Sequence, residues 1–303
     1  MENIILLFLC LVIGFFLQRV KDFPPNSFKT LNQFVLYLSL PALALFYIPK
    51  IQLSTDLLYP IGIAWIAFLM SYLFFSALGK HFGWSKKLTG CLIITAGLGN
   101  TSFVGFPVVE ALFGKEGLKT AIIVDQPGSF VVLATLGLLV ASLFSRREAS
   151  FSMITKKIFF FPPFIAFLIA CLMNIFNFDF SSELQLVFQK IGSTVSPIAL
   201  VSVGLQLKFD KYSKHWPFLG LGLFFKLVLM PAFFYGLYVL LLGQNSTMIH
   251  VSIIESAMAP MITASILATT YGLKPKLSSM MVCFGIPLSF LTLAFWYWVV
   301  TTF

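Results

Sequence analysis

Gly97-Leu98-Gly99-Asn100-Thr101-Ser102-Phe103-Val104-Gly105-Phe106-Pro107 interrupts an otherwise apolar segment that runs from about Leu88 to Phe113. Inside a bilayer every backbone N–H and C=O must find a partner within the protein. A stretch rich in glycine, proline and small polar residues is therefore tolerated at membrane depth only where it is buried or lines a cavity. The segment predicts a membrane helix broken near its middle, with a solute site at the break.

The rest of the chain supports a membrane reading. Of 303 residues, 59% are hydrophobic, 17% aromatic and only 10% charged, and the mean hydropathy is +0.95. Soluble domains carry about 25% charged residues. Apolar stretches of spanning length lie at approximately 3–18, 30–48, 58–79, 88–113, 119–144, 153–175, 184–206, 216–242, 247–271 and 277–300. The expected fold is thus an all-α polytopic membrane protein with ten transmembrane helices.

Charge alternates along this list as the positive-inside rule requires. Arg19, Lys21 and Lys29; Lys80, Lys86 and Lys87; Arg146, Arg147, Lys156 and Lys157; Lys208, Lys211 and Lys214; and Lys274 with Lys276 fall in every second connection. The opposite connections hold Lys50 with Asp56, Lys115 with Glu116 and Lys119, and Asp179 with Glu183. Both termini are expected outside. The net charge of +9 is then an orientation signal, and the dispersed basic residues give no nucleic-acid surface. Glu2 stands where a signal peptide would be basic, so the first segment reads as a retained helix. Cys10, Cys91, Cys171 and Cys283 show neither metal nor disulfide spacing.

The polar stretch Ser145–Lys157 divides the spans five and five. The expected organisation is a first repeat at 1–144, a cytoplasmic linker at 145–152 and a second repeat at 153–303. The halves share punctuation: Pro41 answers Pro197, Gly114 answers Gly272, and Gln126-Pro127-Gly128-Ser129 answers Gly285-Ile286-Pro287-Leu288-Ser289. Five helices per half require the second half to be inverted, and paired broken helices in inverted halves point to a secondary transporter with a midplane site.

Candidate site residues follow from the breaks. Asn100, Thr101 and Ser102 offer neutral donors and acceptors, and Pro107 suits the first turn of a new half-helix. Freed N–H groups near Gly105 and Phe106, at the positive end of that half-helix, would attract a carboxylate without a buried counter-charge. The ninth span reads Glu255-Ser256-Ala257-Met258-Ala259-Pro260-Met261-Ile262-Thr263-Ala264-Ser265. Pro260 cannot bond the carbonyl of Ser256. Ser256, Met258, Pro260 and Thr263 join the expected substrate site. An ionisable residue within a span is costly, so Glu255 is either a coupling residue or a structural partner of Lys226. Asp125 raises the same question.

No nucleophile–base pair stands at usable spacing, and no enzymatic activity is expected. No cofactor is expected apart from a coupling proton or sodium ion.

Leu31-Asn32-Gln33-Phe34-Val35-Leu36-Tyr37-Leu38-Ser39-Leu40-Pro41, Asn100 to Pro107, Ser196-Pro197-Ile198-Ala199-Leu200 and Lys226-Leu227-Val228-Leu229-Met230-Pro231 resemble the auxin efflux carrier family. That group includes plant PIN-type auxin exporters and bacterial malate and malonate permeases. The resemblance implies two inverted five-helix repeats with crossed broken helices, similar to bile-acid sodium symporters. It also implies a scaffold of helices one, two, six and seven, a moving domain of the other six, and a homodimer formed through the scaffold. Asn100 and Pro107 match the family's first break. The second departs from it, with proline displaced to Pro260, Ala264 at the usual crossover proline, and Glu255 in place of a common Gln. The implied function is elevator-type transport of a small organic anion across a bacterial inner membrane. A sodium-coupled symporter, and an anion channel or sensor, are the alternatives.

Overall fold

The computed structural model describes residues 2–24, 26–145, 160–207 and 215–302. Of the expected linker only Ser145 is described. Arg146, Arg147, Glu148, Lys156 and Lys157, with Lys208, Asp210, Lys211 and Lys214, lie outside the described residues.

The regular secondary structure of the described residues is entirely helical, and their one extended pairing is an isolated bridge between Gly99 and Pro260. Six helical runs among them are long and apolar enough to cross a membrane: Ser27–Lys50, Thr55–His81, Thr101–Ser145 (interrupted by a non-helical kink at Gly114), Ser182–Gln206, Trp216–Leu241 and Pro275–Thr302. Glu2–Leu17 and Pro162–Ile175 are apolar but shorter. The protein is therefore a multi-pass, all-helical membrane protein. Two of the ten expected spans are absent from the long set because they are broken. Lys86–Gly97, Thr247–Ser256 and Ile262–Thr270 are each 12 residues or fewer.

Prolines shape several helices without ending them. A proline lacks the N–H that would close its own turn, and its ring crowds the carbonyl four residues back. The chain answers with a wide turn just before it. Val35–Ser39 precedes Pro41, Thr101–Gly105 precedes Pro107 and Phe225–Leu229 precedes Pro231, each a π-helical turn. In two of them the N–H before the proline reaches five residues back, Leu40 to Val35 and Met230 to Phe225. Such π-bulges are frequent near functional sites.

The chain forms two compact units. Unit 1 comprises Met1–Thr55, Ser102–Ile122 and Lys156–Leu207. Its tightest pairing is Glu2–Leu17 along Val195–Gln206. A Cβ on Gly14 would collide with the backbone of Val201, and one on Gly204 with the backbone of Leu11 and Gly14, so glycine permits this approach of two helix backbones. Gln18 Nε2 donates to the carbonyls of Gly204 (2.8 Å) and Leu207 (3.0 Å), capping the end of the second helix. Asn174 Nδ2 lies within bonding distance of three carbonyls, those of Ile48, Pro49 and Ile51, where the Leu40–Tyr47 helix runs out.

Unit 2 comprises Asp56–Thr101, Ile123–Thr155 and Lys208–Phe303. Leu58–His81 packs on Lys86–Gly97, with Ser71 Oγ donating to the Ile93 carbonyl at 2.9 Å. Lys86–Gly97 in turn contacts Ile262–Thr270 and Pro275–Thr302. All twelve residues of this helix except the two terminal lysines are buried. A helix apolar on every side belongs inside the protein. Positive φ marks the two glycines matched between the halves, Gly114 (69°) and Gly272 (68°), where L side chains are disfavoured and helices stop.

Candidate functional site

Both broken helices of unit 2 begin in the same way. Ser85 Oγ accepts from Leu88 N (3.3 Å) and Ser246 Oγ from Ile249 N (3.4 Å), so each first turn is capped by its own serine. Lys86–Gly97 ends at extended Leu98, and Thr247–Ser256 ends five residues before extended Met261.

The two breaks pair with each other. Asn100 N donates to the Ala259 carbonyl at 2.7 Å and Met261 N to the Leu98 carbonyl at 3.0 Å. Gly99 and Pro260 face each other between these bonds. This is the non-hydrogen-bonded position of an antiparallel pair, the one place where a proline costs no ladder bond.

Around the end of Thr247–Ser256 the orphaned carbonyls find donors one by one. Ile253 O accepts from Ala257 N (3.2 Å) and from Ser256 Oγ (2.6 Å), Ile254 O from Ala257 N (3.0 Å), and Glu255 O from Met258 N (3.3 Å). Ser256 O, to which Pro260 has no N–H to offer, accepts from Lys226 Nζ at 2.8 Å. Lys226 is only 2% exposed. A cation at a helix C-terminus also meets the negative end of its dipole. The same ammonium lies under the other break, since a Cβ on Gly99 would come within 3.0 Å of Lys226 Nζ. The break is therefore not free of buried charge, as the sequence suggested, because a residue 127 positions downstream brings a cation to it.

Glu255 is fully buried, and neither carboxyl oxygen has a hydrogen-bond partner among the described residues. Lys226 engages the neighbouring peptide carbonyl and makes no ion pair with Glu255. A buried carboxyl without donors is far cheaper neutral than ionised. Asp125, 2% exposed, is differently placed: it accepts from Thr101 Oγ1 (2.6 Å) and Gln126 Nε2 (2.7 Å). It lies in the π-helical segment Val124–Phe130 that accommodates Pro127.

Asn100, Thr101, Ser256, Met258, Pro260, Glu255, Asp125 and Lys226 are thus all buried in unit 2, and half-buried Thr263 stands in the first turn of Ile262–Thr270. Ser102, Gly105 and Pro107 belong to unit 1. One detail of the expectation changes. The helix after the first break begins at Thr101, six residues earlier than a Pro107 start would place it. The N–H groups of Gly105 and Phe106 therefore lie inside the helix and not in its first turn. In the sequence Gln126 reads only as turn punctuation. Its Nε2 holds Asp125 while its buried Oε1 has no partner among the described residues. The sequence signal was an amide beside an intramembrane acid. Among the described residues no three His, Cys, Asp or Glu side chains gather as a metal site.

Two joined helix breaks with one buried lysine at both, inside a multi-pass helical protein, are the arrangement expected of a membrane transport protein. The chain matches the family model described as membrane transport protein over residues 1–297 and belongs to that family, the auxin efflux carriers. It is 28% identical over 313 residues to an uncharacterized transporter of Methanocaldococcus jannaschii, covering 99% of this chain and 98% of that protein. It is 28% identical over 301 residues to an uncharacterized transporter of Methanothermobacter thermautotrophicus, covering 97% and 96% respectively.

Proposed function

We propose that the protein is a secondary transporter of small organic anions, mono- or dicarboxylates, that works by elevator-type alternating access in the cell membrane. The observation that carries this reading is the Lys226 ammonium held at the Ser256 carbonyl beside Gly99. A fixed cation at two joined helix breaks supplies a counter-charge for a carboxylate. The polar groups of Asn100, Thr101, Ser256 and Thr263 provide orientation, and Met258 and Pro260 an apolar wall. Glu255 carries the coupling proton: a neutral carboxyl tolerates its buried, donorless position, and loss of the proton exposes the cost of that position.

In this reading the ten helices form two inverted repeats, helices one, two, six and seven serve as scaffold and dimer interface, and both termini face outside. The test is counterflow in proteoliposomes across a carboxylate panel including malate, malonate and indole-3-acetate, with proton and sodium gradients imposed separately. Saturable counterflow abolished by Asn100→Ala is expected. Absence of flux for every acid, in protein shown to be folded, would overturn the reading. Glu255→Gln should uncouple flux from the proton gradient.

A sodium-coupled mechanism is the second reading. It is favoured by the acceptors left without donors, Glu255 Oε1 and Oε2 and Gln126 Oε1, since hard cations take oxygen ligands. Uptake that follows an imposed sodium gradient would select it. A channel would pass current without counterflow, and a sensor would bind without flux.

A further inference from the structure

Lys226 stands in the π-helical turn Phe225–Leu229, just before Pro231, and that turn has an orphaned carbonyl of its own. In an α-helix the N–H of residue 231 would bond the carbonyl four residues back, Leu227 O, and proline has no N–H to give. The Trp296 indole takes its place: Nε1 donates to Leu227 O at 3.0 Å. Trp296 comes from the Pro275–Thr302 helix, 69 positions along the chain. It is 6% exposed and Leu227 1%, so this is a buried bond, and a buried carbonyl left without a donor is costly.

The same chemistry recurs at the second break, where Pro260 orphans Ser256 O and Lys226 Nζ bonds it at 2.8 Å. Two prolines leave two carbonyls, and two side-chain N–H groups answer them in series. Trp296 bonds the turn that carries Lys226, and Lys226 bonds the break. All of these residues belong to unit 2. At its start the turn is fixed by aromatic packing: the Phe225 ring stacks on Phe74 at 4.9 Å and 29°, and lies 5.0 Å from Phe75. Lys226 thus leaves the backbone between a ring clamp on one side and the indole bond on the other. The position of a lysine head on its flexible stem is set by what fixes that backbone. A slip of one residue in the turn would swing the stem by about 100° around the helix.

We propose that Trp296 is the positioning residue for Lys226: through Leu227 O it holds the wide turn in the one register that delivers the ammonium to Ser256 O. Without the indole N–H the turn relaxes toward another donor, and the lysine is drawn away from the break. The positioning stands on these bonds alone. Its effect on transport rests on the reading of Lys226 as the counter-charge for a carboxylate.

The experiment is a double-mutant cycle on the full chain, read as the midpoint of thermal unfolding in detergent. Independent side chains give additive losses. Trp296→Phe and Lys226→Met should each lower the midpoint, and Trp296→Phe/Lys226→Met should lower it by clearly less than the sum, because the lysine bond is already weakened once the indole N–H is gone. Additive losses would overturn the positioning, whether or not the protein carries anions. Pro231→Ala supplies a rescue, since it returns a backbone N–H to Leu227 O. Trp296→Phe should therefore cost less in the Pro231→Ala background than in wild type, and an equal cost would overturn the orphaned-carbonyl basis. Should Trp296→Phe alone not fold, recovery of a folded chain by Pro231→Ala supports the assignment and continued failure overturns it. In counterflow with malate, malonate and indole-3-acetate, Trp296→Phe should raise the half-saturating concentration several-fold and lower the maximal rate less. A lower maximal rate at unchanged half-saturation would overturn the effect on the anion site. No flux of any acid by the wild type would overturn the anion reading and leave the result of the cycle standing.

Discussion

The two helix breaks of unit 2 reach the same extended, paired geometry by opposite means. The first is made with glycine: Gly97 closes a helix and Gly99 leaves open the space that the Lys226 ammonium occupies. The second is made with proline: Pro260 withholds an N–H from Ser256, and the ammonium takes its place. One break gives up side-chain volume and the other gives up a hydrogen bond, and a single lysine answers both. The pairing is therefore asymmetric, since the proline break depends on Lys226 for bonding and the glycine break only makes room for it.

This asymmetry can be broken most severely at the lysine. Lys226→Met should abolish counterflow and cost about 1.5–3 kcal/mol, the value of a hydrogen bond from a charged group, read as a lower midpoint of thermal unfolding in detergent. Gly99→Ala comes next. Its methyl group presses on an ammonium 3.0 Å away, so flux should fall several-fold while the fold survives. A normal rate would mean that the lysine has slack. Gly285→Ala probes the other side: a Cβ there meets the Pro260 ring, and a smaller stability loss of about 1–3 kcal/mol from overpacking is expected.

The smallest effects sharpen the comparison. Ser85→Ala and Ser246→Ala each remove one N-cap, worth about 1 kcal/mol, and their long cap bonds of 3.3 and 3.4 Å place both at or below that figure. Equal losses would show that the helices differ only where they break. A larger loss at Ser246 would show that the proline-broken helix, being shorter, leans more on its start.

The breaks themselves were legible in the sequence because glycine and proline act locally. Gly97, Gly99, Pro260, Gly114 and Gly272 can each be read from what they do to φ or to one backbone bond. The buried acids were legible for a similar reason, because a charge in an apolar run is conspicuous wherever it lies. The role of Lys226 was not. Its partner is a peptide carbonyl 30 positions away, and backbone carbonyls carry no sequence signature, so the obvious opposite charge, Glu255, drew attention instead. The start of the helix at Thr101 was hidden too. Pro107 reads as a helix beginning, and only the wide turn before it lets the helix begin six residues sooner.

Those wide turns before Pro41, Pro107 and Pro231 have a bearing on how such a chain can change. A turn closed five residues back instead of four holds one extra residue, and the helix beyond it is rotated by about 100° relative to an unbroken one. A proline in a straight membrane helix loses one backbone bond and crowds the carbonyl four residues back, and one extra residue just upstream relieves that crowding. Deleting a single residue from Val35–Ser39 or Phe225–Leu229 should then be worse than replacing the proline that follows, because deletion turns every later side chain of that helix to a different face.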